Sequence, residues 1–527
     1  MADDSFYQRH RLDFIHRHRI SVPYRRRIAA ELWTATVMLL AAGWVVRWMV
    51  SGAPDAVLTA VVAVAVLGCV AAFRRPAPAP HTHGLPGIQD GPCPGEDPEL
   101  GPWVIASRYA GPVALVTFAS GLPGWVVLVP TVVAIVVSGR VVAYALAVRH
   151  RTKVIARALA KHEPRFAIAY AGYGGGPTHL TMWEEPLLSA GFPGVVFNYR
   201  ASYCEYLQEN TDLTSPFVQL SRDAIRDLQI LIVPTLKWFF YLHNAKSNLR
   251  YMAMRQVKHV WLGHGDSDKP ASVFARHADY DILVVSGTAA IERYETAGVH
   301  IPREKFAILG RPQVQEILPA TRPIREIERP VVLYAPTWQG KRKEVNFSSL
   351  RRGPHIVRLL IASGADVIFR PHPLSKRYPP LAKIVKRIEG ILHYDTDRTN
   401  TPGRHVWGDR ANVEWSVNDC MNHADALVSD VSSVVSDWLQ SGKPYAMVST
   451  RWTVEEFRDR FPVAQGAYIL LRDLDGAEAV LADMLGEDSM AATRDALRES
   501  VLGGFSGRES ADAFAAFFHD RFAGVSG

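Results

Sequence analysis

The chain has 527 residues, 48% of them hydrophobic and 21% charged, with a formal net charge of +7. That length predicts three to four folding units and excludes a peptide module, and the ordinary composition excludes a disordered or fibrous chain. A mean hydropathy of −0.01 is compatible with a mixture, because a few very apolar segments beside a polar domain average to the same value.

Residues 1–28 form a basic segment, with Arg9, Arg11, Arg17, Arg19, Arg25, Arg26 and Arg27 against Asp3, Asp4 and Asp13. Apolar stretches follow at 31–50, 56–73, 104–120 and 125–148. Their lengths approach or reach the ~20 residues that cross a bilayer, so residues 29–150 are expected to be a transmembrane region of about four helices. Arg47, in the first stretch, is expected to snorkel towards a boundary. The first stretch begins too far into the chain, and with too little cleavage signal, for a signal peptide, and it reads as a retained anchor. The basic clusters at the start, at Arg74 and Arg75, and at Arg149, Arg151 and Lys153 all fall on one side of four spans. The Lys/Arg bias makes that side cytoplasmic, with the bulk of the chain following there. The Pro/Gly-rich loop 76–103 between the two hairpins is expected to be irregular. Cys69, Cys93, Cys204 and Cys420 show no CxxC spacing, so neither a disulfide framework nor a zinc site is indicated, and a reducing compartment suits them.

From Arg165 onward, short apolar runs alternate with amphipathic stretches. Strands are expected at Phe166–Tyr170, Val195–Phe197, His259–Leu262, Ile282–Val285 and Phe306–Leu309. A second set falls at Val331–Tyr334, Asp366–Phe369, Ala426–Val428 and Tyr445–Val448. Helical periods lie between many of them, as at Thr288–Ala297 and His355–Ser363. The alternation predicts α/β structure with parallel sheets, in two doubly wound Rossmann-like domains over 160–320 and 328–520. The proline-punctuated stretch Thr321–Pro330 is the expected linker, and no internal repeat is present.

Ligands of open parallel sheets bind beyond the carboxyl ends of the strands. Four turns there carry chemistry. In Gly263-His264-Gly265, His264 is either a general base near neutral pH or a turn histidine bonded to backbone. In Arg370-Pro371-His372-Pro373, Arg370 and His372 share a face if the strand persists, as an anion clamp would need, or are a surface arginine and a half-buried histidine. In Ser429-Asp430-Val431-Ser432-Ser433, the two serines at a helix N-terminus suit a phosphate, while Asp430 or Ser432 is equally a simple N-cap. Ala171 to His179 is a glycine-rich turn that matches neither a dinucleotide fingerprint nor a P-loop. Three anion-capable turns in this setting point to a phosphorylated, nucleotide-linked substrate.

At these residues the sequence resembles the CDP-glycerol glycerophosphotransferase family, the bacterial teichoic acid primases and polymerases. The shared features are His264-Gly265 with Lys269, Tyr334-Ala335-Pro336-Thr337-Trp338 and Arg370-Pro371-His372-Pro373. Ser429-Asp430 with Ser432, Ser433 and Asp437, and then Gly442-Lys443-Pro444, complete the set, in order, over about 190 residues. The resemblance implies a GT-B pair of domains facing a cleft, the C-terminal one holding a CDP-linked donor and the N-terminal one the acceptor. It implies His264 and His372 as catalytic residues, with Arg370, Ser432, Ser433, Asp430, Lys269, Arg311 and Thr337 binding substrate. Gly310-Arg311-Pro312-Gln313 stands where the family often has Gly-x-Pro-Arg, so Arg311 takes that arginine's part. No metal and no cofactor are implied.

The expectation is a multi-pass membrane enzyme with a cytoplasmic catalytic part. It would move a polyol phosphate, glycerol phosphate first, from a CDP-polyol to a lipid-linked cell-wall glycan and release CMP. The basic run Lys376, Arg377, Lys383, Lys386 and Arg387 either faces acidic lipid or a polyphosphate chain, or is a solvated helix face. Two alternatives stand beside the main reading: a GT-B glycosyltransferase using a UDP- or GDP-sugar, and a non-catalytic scaffold for envelope assembly. Nucleic-acid binding is not expected, because the basic excess concentrates at the membrane boundaries.

Overall fold

The computed structural model describes the chain except residues 1–37, 51–54, 73–76, 91–99, 172–175, 201, 202, 222, 264, 266–272, 340–345, 402 and 525–527. The basic start, Arg74, Arg75, most of the glycine turn, His264 and Lys269 lie outside the described residues. Two compact units result: Met1–Thr181 with Pro193–Phe239 and Asn244–Val257, and Met182–Phe192 with Phe240–His243 and Lys258–Gly527. Thr321–Pro330, expected as a linker, lies within the second unit and carries a short 3-10 turn, Ile324–Glu326.

The first unit opens with four helices at the four apolar stretches: α1 (Met38–Val50), α2 (Ala56–Ala72), α3 (Leu100–Ala119) and α4 (Gly124–His162). Among the described residues α4 alone is long and apolar enough to cross a membrane, and α1 and α2 are shorter apolar helices. α4 runs well past the apolar stretch and stops at Glu163, whose left-handed conformation (φ 52°) lets its N–H bond to Leu159 O. Small residues set the helix spacing. A Cβ on Gly68 would lie 2.7 Å from Ser138 Oγ, and one on Gly111 would lie 2.9 Å from Cys69 Cβ. Arg47 lies in the last turn of α1. It is buried, and its guanidinium donates to Phe118 O (3.0 Å) and Leu122 O (3.2 Å) at the carbonyl end of α3, where a cation complements the helix dipole.

The strands of this unit are β1 (His81–His83), β2 (Phe166–Tyr170), β3 (Gly194–Asn198), β4 (Phe217–Gln219) and the start of β5 (Trp238–Tyr241), in the order β1-β4-β3-β2-β5. β2, β3 and β4 pair in parallel. The loop expected to be irregular supplies β1, which pairs antiparallel with β4, His81 opposite Gln219. Cys69 and Cys420 are free and buried, but Cys204 is disulfide-bonded, which the cysteine spacing did not indicate and which is uncommon in a reducing compartment.

The second unit holds the end of β5, then β6 (Lys258–Trp261), β7 (Ile282–Val285) and β8 (Phe306–Ile308), with β6, β7 and β8 parallel. It also holds a separate parallel sheet of β9 (Val331–Ala335), β10 (Asp366–Phe369), β11 (Ala426–Ser429), β12 (Tyr445–Ser449) and β13 (Tyr468–Leu471), ordered β10-β9-β11-β12-β13. Side chains alternate across its faces. Val332, Tyr334, Ala426, Val428, Ala446 and Val448 enter one core, and Leu333, Ala335, Leu427, Tyr445 and Met447 the other. Burial on both sides is why these strands read as unbroken apolar runs. The helix Pro379–Thr399 covers one face with Leu381, Val385, Ile388 and Leu392, one per turn, while Lys383, Lys386 and Arg387 stay exposed. The last helix, Glu509–Ala523, packs Phe514 against Trp183, and Phe518 and Phe522 against Phe240.

Candidate functional site

The order β10-β9-β11-β12-β13 reverses direction between β9 and β11. In a doubly wound sheet the crevice for a ligand opens at that switch, beyond the carboxyl ends of the two strands. The turns that follow β9, β10 and β11 hold Thr337, Arg370, His372, Asp430, Ser432 and Ser433, so topology brings six of the nine expected site residues to one edge.

Backbone bonds tie these turns together. Arg370 N–H donates to Tyr334 O (3.0 Å) and His372 N–H to Pro336 O (3.2 Å). Ser429 Oγ donates to Ala335 O at 2.7 Å. Asp430 does not cap the helix. Its buried carboxylate accepts the N–H of Thr337 (2.7 Å) and of Ser349 (3.1 Å), fixing the segment after β9 to the end of β11. Ser432 is the N-cap, accepting Val434 N–H at 3.4 Å, and Ser433 opens the helix Ser433–Trp438. A Cβ on Gly265 would lie 3.3 Å from Ser433 Cβ and Oγ, so Gly265, after β6, lies against this helix start.

Arg370 and His372 diverge. β10 ends at Phe369, so the period-two geometry expected of them does not persist. The Arg370 guanidinium donates to the carbonyls of Ala411 and Trp415, the latter at 2.8 Å, and sits half-buried against Cys420. His372 caps the helix Pro373–Arg377, its Nδ1 accepting Leu374 N–H at 3.2 Å. An accepting Nδ1 puts the proton of the neutral ring on Nε2, as a donor. The Trp338 ring lies 6.4 Å from that imidazole.

Arg311, expected to bind substrate, is engaged with a protein carboxylate. Its Nε and Nη2 donate to the two oxygens of Asp437 in a fork, with Arg311 7% and Asp437 14% exposed. The pair fastens the segment after β8 to the helix that starts at Ser433. Lys443 is likewise turned inward. It is 8% exposed, and its ammonium donates to Met421 O (3.1 Å) and Ala424 O (2.6 Å) at the carbonyl end of the helix Val417–Asn422. Burial holds its pKa below the usual lysine value. Gly442-Lys443-Pro444 is therefore a structural clasp, which nothing in its spacing distinguishes from a ligand motif. Among the described residues no group of three or more His, Cys, Asp or Glu side chains could hold a metal ion.

β6, which leads into the His264 turn, rests on a buried aromatic cluster. His277 stacks on Trp261 with ring centroids 4.2 Å apart, and its Nδ1 lies 2.5 Å from Tyr294 Oη. Burial first, and the nearby Arg276 second, push the His277 pKa down to about 3. The unfolded chain takes up a proton near pH 6.5 that the folded chain refuses. The stability this histidine contributes is thus complete above pH 6.5 and is lost as pH falls towards 3, by at most ~1.4 kcal/mol per pH unit. Thermal unfolding should show Tm falling between pH 6.5 and 4.5. His277→Phe, which keeps the stacking, should fall less over that interval, and equal slopes would remove His277 as a cause.

Residues 239–460 match the family model described as CDP-Glycerol:Poly(glycerophosphate) glycerophosphotransferase. A search of curated proteins finds no match. Among solved structures, the wall teichoic acid polymerase TagF is 11% identical, with a TM-score of 0.43 over 72% of this chain and 95% of that one. MurG of Acinetobacter baumannii is 9% identical, with a TM-score of 0.42 over 68% and 100%. A putative UDP-N-acetylglucosamine 2-epimerase from Listeria monocytogenes is 12% identical, with a TM-score of 0.43 over 68% and 96%. None of these likenesses bears on activity at such identities. The matched segment runs from β5 to beyond β12 and includes the turns that meet at the β9/β11 switch, so over residues 239–460 this chain is similar to the CDP-glycerol glycerophosphotransferase family.

Proposed function

We propose that this protein transfers glycerol phosphate from CDP-glycerol to a lipid-linked glycan at the cytoplasmic face of a membrane, releasing CMP. The observation that carries the reading is the family match over 239–460, which includes both the His264 turn and the Ser432–Ser433 helix start. The family match supports a GT-B arrangement, with the β9–β13 sheet as the donor-binding domain.

In this reading an acceptor hydroxyl attacks the donor phosphorus that bears glycerol. The bond from that phosphorus to the bridging oxygen breaks, and CMP leaves with that oxygen. His264 takes the hydroxyl proton as the new P–O bond forms. Ser432, Ser433, Arg370 and the Nε2 of His372 supply donors and charge to the pyrophosphate, which matters most as negative charge grows on departing CMP. Lys269 serves the same phosphates from the His264 turn. Asp430, Thr337 and the Arg311–Asp437 pair hold these groups in register.

The four-helix region supports anchoring. α4 is long and apolar enough to span, and large apolar side chains remain exposed along it, Trp125 at 73% and Val129 at 65%. Placing the active site beside a lipid-borne acceptor reduces the search to two dimensions. Arg149, Arg151 and Lys153, in the continuation of α4, favour a cytoplasmic catalytic part.

The test is a thermal-shift screen of the detergent-solubilised full chain against CDP-glycerol, CDP-ribitol, UDP-hexose and GDP-hexose, with CMP release assayed on membranes containing the protein. The expected result is stabilisation by CDP-glycerol with CMP release. Preference for a UDP- or GDP-sugar would transfer the reading to a glycosyltransferase, and no ligand response with no turnover would leave a scaffold.

A further inference from the structure

We infer that Trp183 is a positioning residue for the His264 turn. The inference rests on the reading of His264 as the base, and its geometry lies entirely in described residues. Trp183, in the helix Gly176–Leu188, is 3% exposed, and its indole Nε1–H donates to Gly263 O at 2.7 Å, across 80 positions of sequence. Gly263 adopts φ +71°, a backbone state that only glycine enters freely. Its N–H is held as well, bonding to Tyr241 O at 3.2 Å, beside Leu262 N–H on the same carbonyl at 3.0 Å. Both polar atoms of the residue before the histidine are therefore committed, one to a strand and one to a side chain.

The Gly263 carbonyl belongs to the peptide that joins Gly263 to residue 264. A peptide is planar, so fixing that oxygen fixes the plane through which the chain enters position 264. On the other side of the histidine, Gly265 abuts Ser433. Gly263 is thus held by an indole N–H, and Gly265 lies against the helix that Ser433 opens. A base must stand within hydrogen-bond reach of its proton, and an error near 1 Å can cost about a hundredfold in rate. The sequence offers no signal for this role, because Trp183 follows the glycine turn by several residues and belongs to no recognised motif. The face of Trp183 packs on Phe514, ring centroids 5.5 Å apart, so the indole has a packing partner separate from its hydrogen bond.

The experiment uses the full-length protein in detergent and compares Trp183→Phe with wild type and with Phe514→Leu, which disturbs the packing and leaves the donor. A third form carries 3-benzothienylalanine at 183, which keeps the fused ring and lacks the N–H, in case Trp183→Phe does not fold. Two readouts are taken: kcat and KM for CMP release from CDP-glycerol, and the rate at which diethyl pyrocarbonate modifies His264, followed by peptide mass spectrometry. Loss of the donor is expected to lower kcat about tenfold with KM for CDP-glycerol within twofold, and to change the His264 modification rate at least threefold. Phe514→Leu is expected to leave both within twofold. The inference is overturned if the donor-free forms keep kcat and modification rate within twofold of wild type, or if Phe514→Leu reproduces their effects. Failure of the wild type to turn over CDP-glycerol would instead refute the proposed reaction. The modification rate would still decide whether Trp183 governs the turn.

Discussion

Replacing His264 by alanine is expected to lower CMP release from CDP-glycerol by about 10³-fold, with donor affinity nearly unchanged. A positioned general base is worth roughly 10²–10⁴ in rate. The donor's phosphates in this reading are held by other turns, chiefly Ser432 and Ser433 at the β11 helix start and His372 after β10. Binding and proton transfer should therefore separate. Membranes bearing the variant would retain CDP-glycerol stabilisation in a thermal-shift assay and lose turnover. His372→Ala should show the opposite emphasis, a raised KM with some loss of kcat, because an N–H donor to a phosphate acts in both ground state and transition state. A His264→Ala protein that releases CMP at a rate within fivefold of wild type would exclude the proposed base.

The second large effect is on stability. Arg311→Met should destabilise the protein by up to about 3–5 kcal/mol, since it removes the guanidinium fork from the buried Asp437 carboxylate. In a domain of this size that lowers Tm by roughly 6 °C or more. The double variant Arg311→Met with Asp437→Leu removes both charges and should recover most of the loss, because the desolvation of two ions then disappears with their attraction. Activity should not recover with it. The fork joins the segment after β8 to the helix opened by Ser433, and two apolar side chains lack that directional geometry. A single variant within 2 °C of wild type would mean the pair contributes little. A double variant as active as wild type would mean it does not set the register of the helix.

Much of the architecture was legible because burial on both faces of a parallel sheet writes itself into the sequence as short apolar runs. β2, β7 and β10 coincide residue for residue with the runs at Phe166–Tyr170, Ile282–Val285 and Asp366–Phe369. β4, β5 and β13 were not recognised. Runs of three or four apolar residues cannot be told from helix by periodicity. β1 was hidden for another reason. His81-Thr82-His83 has no apolar pattern and becomes a strand only because β4 presents an edge to it. The four apolar stretches did predict four helices, yet residues 51–54 between α1 and α2, the basic start of the chain and Arg74 and Arg75 lie outside the described residues, and among the described residues α4 alone meets the length and apolarity of a span.

By itself the sequence determined the class of the protein. Alternating strands and helices imposed parallel α/β sheets, and glycine, proline and serine at strand exits marked the turns proposed to take a phosphate-bearing ligand, since those residues act through local backbone geometry. Tertiary structure alone decided which polar side chains of those turns are bonded to distant parts of the protein. Asp430, Arg311 and Lys443 belong to the same motifs as Ser432 and His372, yet each is turned to a protein partner: two backbone N–H groups, a carboxylate and two helix-end carbonyls. The physical reason is that a buried charge must be satisfied by whatever polar group the fold brings within reach. That partner stands tens to more than a hundred positions away in sequence, as does the Gly263 carbonyl that Trp183 holds.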